Sequence, residues 1–251
     1  MSLIDHRSIL RTGARLLLFN RRSDVHFDDP LSAIPLTLTA LYSLWLRLTY
    51  PFAGIGRPFE IHPTCELRRQ VSHRIKFGND VMVHPNVWFN VSAPLQGKRE
   101  PAIVIDDRCN IERGCMISAK NSIHFEPDIL FGPAAIVMDH GHGYEEVSIP
   151  IRDQGITEGG RITIGQGCWI GHGAAIVCVQ GELSLGRNCV VAANSLVTRS
   201  FPPYSVISGN PARVVKQYDP SKMSWVLGSA RGAELPSFKP ALDVANATQL
   251  V

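Results

Sequence analysis

The feature that most constrains this chain is a six-residue rhythm of aliphatic side chains. Ile164, Ile170 and Ile176 stand six apart, and Leu185, Val191 and Val197 stand six apart again. The residue after each aliphatic is compact (Gly165, Gly171, Gly186, Ala192), and so is the fifth position of each hexad (Cys168, Ala174, Cys189, Ser195). Six fits neither the 3.6-residue period of a helix nor the two-residue period of a meander. It fits an all-β solenoid of short parallel strands, in which one residue in six enters a narrow core and small residues occupy the turns. The rhythm extends upstream through Ile105, Ile111, Ile117 and Ile123, with Cys109 and Cys115 in the compact slots. After a two-residue shift it continues through Phe125, Phe131 and Val137, and an earlier turn carries Phe77, Val83 and Phe89.

Three segments follow from the limits of that rhythm. Residues 1–58 read as an N-terminal helical cap, residues 59–218 as the repeat domain, and residues 219–251 as a C-terminal tail with little periodicity. Within the cap, residues 31–50 are largely apolar, and Leu38, Leu41, Tyr42, Trp45 and Leu48 fall on one helical face. Arg47 and several hydroxyl residues argue against a membrane span. Two readings stand: this face closes the open end of the solenoid, or it lies on a membrane surface. Residues 92–101 read as a loop leaving the solenoid, and Phe201-Pro202-Pro203 as its end. Between Ile176 and Leu185 the interval is nine, which predicts a three-residue bulge. The longest interruption, residues 139–161, breaks the repeat completely and carries Asp139-His140-Gly141-His142, so it is the expected functional loop.

A net charge of +3 and the lack of any basic run interleaved with aromatics argue against a nucleic-acid partner. The six cysteines form no Cys-x-x-Cys pair, so we read them as buried apolar residues in a reducing compartment. No signal-peptide pattern opens the chain. The expected location is cytoplasmic, at the inner face of the cell membrane if residues 31–50 touch lipid.

Three blocks carry a family resemblance: Ile-Gly-Gln-Gly-Cys-Trp-Ile-Gly at 164–171, Ala-Ala-Asn-Ser-Leu-Val-Thr at 192–198 and Gly-Asn-Pro-Ala-Arg at 209–213. In their order and spacing the chain resembles the hexapeptide-repeat acyltransferases, which include maltose, galactoside and polysaccharide O-acetyltransferases. The likeness covers about residues 60 to 218. It implies a left-handed parallel β-helix with an N-terminal helical segment and a short C-terminal extension. It also implies a homotrimer with acetyl-CoA, the acyl donor, lying in the groove between two subunits.

Acyl transfer to a hydroxyl needs a base, a positioned thioester and donors for the oxyanion. His140 and His142 are the candidate bases. Matching Gly132-Pro133 to the Gly-Pro of the sugar acetyltransferases puts the family's catalytic histidine at His142 and makes His140 a neighbour that binds acceptor or orients the loop. Asp139 or Glu145 can orient an imidazole, and spacing alone does not choose between them. Asp139 and Asn121 are the candidate acceptor contacts. On the donor side the resemblance implies contacts from Trp169, His172, Ala193, Ser195 and Thr198. Gly171 and Gly173 are expected to let the thioester approach the backbone. Arg213 and Lys216 are expected near the nucleotide phosphates.

Two other readings remain on the sequence. A γ-carbonic-anhydrase-like site would hold zinc between His140, His142 and one of His84, His124 or His172, the third from the same chain or from a neighbouring subunit, although the transferase reading expects no metal. A non-catalytic scaffold would need neither loop histidines nor a basic end. For the transferase, the expected acceptor is a sugar hydroxyl of a cell-surface polysaccharide or its precursor, with small soluble sugars or xenobiotics as the runner-up.

Overall fold

The computed structural model describes residues 33–92 and 100–227. The chain opens with helix α1 (Ala33–Thr49) and then winds through coils of three short strands. The first coil is β1 (Gly54–Ile55), β2 (Phe59–Ile61) and β3 (Glu66–Leu67); the second is β4 (Ile75–Phe77), β5 (Val81–Val83) and β6 (Trp88–Val91). The third is β7 (Ile103–Ile105), β8 (Asn110–Ile111) and β9 (Met116–Ala119); the fourth is β10 (Ser122–Phe125), β11 (Leu130–Phe131) and β12 (Ile136–Met138). The fifth is β13 (Gly159–Ile164), β14 (Trp169–Ile170) and β15 (Ala175–Val177); the sixth is β16 (Gln180–Leu185), β17 (Val190–Val191) and β18 (Leu196–Val197). Strand β19 (Ser205–Gly209), β20 (Ala212–Asp219) and β21 (Ser224–Leu227) complete the described chain.

Every third strand pairs in parallel with its counterpart one coil away, giving three sheets that form the sides of a triangular coil. We call them sides A, B and C, carrying the first, second and third strand of each coil. The hexad aliphatics stack in register down each side. On side A the column is Phe77, Ile105, Phe125, Ile164 and Leu185. On side C it is Leu67, Phe89, Ile117, Val137, Ile176 and Val197. All of these are buried, and together they form one continuous core. The two-residue strands are too short to be stable alone, so burial along these columns holds the coil.

The compact slots have a second role. Cys115 Sγ donates to Gly132 O at 3.3 Å, Cys168 Sγ to Gly186 O at 3.2 Å and Cys189 Sγ to Pro202 O at 3.1 Å, so each thiol ties a turn to a turn of the following coil. Burial pushes the Cys115 thiol up to about 11 and the Cys109 thiol up to about 12, which keeps both protonated and unreactive. All six cysteines are unpaired, in keeping with their reading as buried small residues.

Three expectations change. Residues 180–182 do not bulge; they lengthen β16, which pairs with β13 from Gly159↔Gln180 through Ile164↔Leu185. Nor does the coil stop at Phe201, because β19 still pairs in parallel with β17. The β20–β21 hairpin then adds two antiparallel strands to side B, so ordered structure reaches Leu227, past the expected boundary at 218. The third change is at the helix. α1 does cap the first coil, but it docks through Ser43 and Leu46, with Ser43 Oγ accepting from Ile61 N at 2.9 Å. Leu38, Leu41 and Leu48 are left exposed, and half-exposed Trp45 lies over Tyr42 and Tyr50, which pack against the core. Most of the loop at 92–101, the first 32 residues and the tail beyond Leu227 lie outside the described residues.

Ile117 is fully buried in the middle of its column. Ile117→Ala is expected to destabilise the protein by about 2–5 kcal/mol, through lost burial plus the cavity left between coils that cannot collapse. A shift of the urea unfolding midpoint at constant slope measures it.

Candidate active site

The interruption leaves the coil at the corner between sides C and A, directly after β12, and returns there at β13. What anchors it is one buried carboxylate. Asp139 is 0% exposed. Its oxygens accept from the backbone N–H groups of Lys120 (2.6 Å), Asn121 (2.8 Å) and Ser122 (2.9 Å), the turn at the same corner one coil earlier. A buried charge is tolerated only with such donors around it. Lys120 Nζ donates to Thr157 O and Asn121 Nδ2 donates to Glu158 O at 2.9 Å, which holds the returning end of the loop. Gly141 and Thr157 exchange hydrogen bonds of 3.0 and 2.8 Å, and His142 bridges Ile156. The loop is therefore a tied hairpin.

The two histidines have different surroundings. His140 is buried. Its Nδ1 lies 3.0 Å from Asp139 Oδ1 and its Nε2 lies 3.2 Å from Ser92 Oγ. The ring spans a carboxylate on one nitrogen and a hydroxyl on the other. Asn90 Nδ2 donates to Ser92 Oγ at 2.8 Å and to Ser118 Oγ at 2.9 Å. His140 is thus fully engaged inside the protein. His142 is exposed, and among the described residues its ring has no hydrogen-bond or ion-pair partner. The carboxylate that orients an imidazole here is Asp139, not Glu145, and the imidazole it orients is that of His140.

Asp139 is sealed off and cannot touch an acceptor, contrary to expectation. Asn121 holds the loop and also lines an open polar cleft of about 550 Å³ with Glu158, Arg161 and Glu182. Ser92, Asn90 and Ser118 escaped the sequence reading. Asn90 and Ser118 are register partners on side C, and that stacking of polar residues beside the loop was the available signal.

The expected donor residues divide among three places. On the outer surface of side B, Leu130, Trp169, Val190, Val206 and Lys216 form one row across the strands. Half of Trp169 is exposed there. A register shift between Val206 and Ile207 sets Arg213 opposite Ser208 and Lys216 opposite Val206. Ser205 and Ile207 point inward, so the two basic residues share the outer face despite being three apart. Trp169 and Lys216 are separated by three strand steps, about 14 Å. His172, Gly173 and Ala193 sit at the corner between sides B and C, and Thr198 follows β18 at the corner that carries the histidines.

Two assignments change reason. A Cβ on Gly171 would lie 2.7 Å from Ala193 N, and one on Gly173, at φ +63°, would lie 2.4 Å from Asn194 Oδ1. Gly171 is demanded by backbone of the next coil, whereas at Gly173 the atom met is the tip of a side chain and the positive φ is what favours glycine. Ser195 is buried, and its hydroxyl accepts from Gly209 N at 3.2 Å, so it faces inward and not toward a cofactor.

The zinc geometry does not form within one chain. His84 lies 3.6 Å from Glu112 and His124 lies 2.8 Å from Asp106, each on a different side from the loop. Among the described residues no three potential ligands converge.

No family model matches the chain. It is 28% identical over 191 residues to a protein of Mycobacterium tuberculosis named as the acetyltransferase Rv3034c, covering 75% of this chain and 56% of that one. To WbbJ of Escherichia coli, named as a lipopolysaccharide biosynthesis O-acetyl transferase, it is 29% identical over 167 residues, covering 64% of this chain and 80% of WbbJ. The chain spans little more than half of the first of these relatives. Among solved structures, a point mutant of AntD, an N-acyltransferase from Bacillus cereus in complex with dTDP and coenzyme A, superposes with a TM-score of 0.56 at 15% identity, over 71% of this chain and 90% of that one. In sequence and in fold the chain resembles the hexapeptide-repeat acyltransferases.

Proposed function

We propose that the protein is an acetyl-CoA-dependent O-acetyltransferase whose acceptor is a sugar hydroxyl of a cell-surface polysaccharide or its precursor. The observation that carries the reading is the division of labour between the two loop histidines. His140 is locked between Asp139 and Ser92, while the neighbouring His142 presents an unpartnered ring to solvent. A base needs a nitrogen that can reach the acceptor, and of the two loop histidines His142 is the one whose ring is exposed, which supports it as the base. The relatives named as acetyltransferases support the chemistry, and WbbJ's name supports a surface glycan over free sugars.

Acetyl-CoA supplies the activated acyl carbon. His142 takes the proton of the acceptor hydroxyl as its oxygen attacks that carbon. The C–S bond then breaks as the ester C–O bond is kept, and His142 returns the proton to the departing sulfur. Asp139 and His140 hold the loop so that His142 keeps one position. The unit that performs this is residues 59–218. Arg213, Lys216 and Trp169 form the surface on which the nucleotide end rests, a guanidinium and an ammonium suiting phosphate and an indole suiting a flat ring.

The same reading includes a left-handed coil and a homotrimer. In a triangular cross-section the corner between sides C and A lies opposite side B. The base and the Trp169–Lys216 row of one chain therefore face away from each other, and a complete site needs the row of one chain beside the loop of another. Tyr144, Val147 and Ile151, exposed on the loop, are apolar surface that a neighbouring chain would cover. Six free thiols support a reducing, cytoplasmic location.

His142→Ala is expected to lower kcat for acetyl transfer by about 100-fold or more, the scale of a lost general base, while calorimetry shows acetyl-CoA binding unchanged. Full retention of turnover in that variant, with loss in His140→Ala at unchanged melting temperature, would move the base to His140. Arg213→Ala with Lys216→Ala is expected to raise KM for acetyl-CoA about tenfold or more with little change in kcat. At acetyl-CoA well below the double variant's KM, where both parents turn over slowly, mixing it with His142→Ala is expected to raise activity above the sum of the two, since some interfaces then pair an intact loop with an intact row. Mixtures that never exceed that sum under these conditions, or a monomer in sedimentation velocity at micromolar concentration, would exclude the shared site.

A further inference from the structure

We propose that the outer face of α1 binds the surface of a bilayer rich in anionic phospholipid. The helix seats its more polar side on the solenoid: Ser43 bonds Ile61, Leu46 is buried, and Tyr42 packs against the core. Its apolar stripe is left outside. Leu38, Leu41, Trp45 and Leu48 follow the 3- and 4-residue spacing of one helical face and are 54%, 59%, 49% and 74% exposed, with Ile34 and Leu44 widening the stripe. Such a concentration of large apolar side chains on one exposed face is unusual for a surface meant for water.

Charge and length choose the occupant. From Ala33 to Phe59 the chain has no Asp or Glu. The basic groups beside the helix lie toward its C-terminal end: Arg47, whose guanidinium donates to Gly56 O, the exposed Arg57, and Arg69, whose Nε donates to Thr49 O at 3.0 Å. Cationic groups beside an apolar face match anionic headgroups above acyl chains. A second helix as partner would call for charges of both signs beside the seam to set pairing, and the helix itself supplies one arginine and no acid. At 17 residues α1 is about 25 Å long, short of the ~30 Å hydrocarbon layer, and among the described residues no helix is long and apolar enough to cross a membrane. It therefore lies on the surface. Because α1 caps the first coil, the solenoid stands end-on to the lipid and the loop corner remains open on its flank.

The test is co-sedimentation of the full chain with vesicles of phosphatidylcholine alone and of phosphatidylcholine with phosphatidylglycerol. Binding needs no acyl transfer, so the result is independent of whether the enzyme reading holds. The expected result is partitioning at least about tenfold stronger with phosphatidylglycerol, weakened by salt that screens the arginines. Leu41→Glu with Leu48→Glu, both on exposed positions, is expected to lower partitioning about tenfold or more with an unchanged melting temperature. Trp45 emission should shift to the blue on binding, a shift absent in Trp45→Phe. No binding to anionic vesicles, or binding that the double glutamate variant leaves intact, would overturn the proposal. So would a vesicle-inert protein whose oligomer that variant splits, because a second copy would then be the occupant.

Discussion

Everything in this molecule depends on one spacing: parallel strands in adjacent coils lie about 4.8 Å apart, and the corners must hold to the same distance as the sides. At the sides this is met by hydrogen bonds and by columns of identical-phase aliphatics. At the corners it is met by leaving atoms out. A Cβ on Gly165 would lie 2.6 Å from Arg187 N, and one on Gly186 would lie 2.3 Å from Pro203 N. The corner glycines therefore serve the coil itself, Gly171 among them. Chemistry has to come from residues that the repeat does not need.

The loop after β12 is where the repeat yields. An excursion of this length would ordinarily be mobile, and Asp139 prevents it. One carboxylate that satisfies three N–H groups of the preceding turn and one imidazole joins two coils and the loop at a single point. Removing it would leave those donors buried without an acceptor, so this side chain holds the loop, and His142 with it, in place. His140 belongs to this anchor. The contrast between an engaged histidine and a free one two residues away is the most informative feature of the site.

The triangular cross-section gives the rest its logic. The corner that carries the histidine loop lies opposite the side that carries the Trp169–Lys216 row, which is why the proposed function sets the loop of one chain beside the row of another. The β-bulge in β20 sharpens the row by turning Arg213 and Lys216 to the same outer face. At the end of the coil, α1 solves a different problem. It covers free strand edges with the side of the helix that carries Ser43, and leaves outside a stripe that the solenoid has no use for.

The sequence by itself determined the coil. A six-residue period with compact residues at the turns admits one architecture, because each hexad is a strand and a corner, and the period is local. It also located the interruption and both histidines. Tertiary structure alone decided which histidine is free, since that depends on Ser92 and on a turn at Lys120–Ser122, both far away in sequence. It decided that Ser195 and Gly171 belong to packing, because their neighbours lie beyond their own coil. It decided which face of α1 docks, since a stripe of apolar residues announces a buried face but not what buries it. In each case the missing information was a contact between coils, which a period within one coil does not contain.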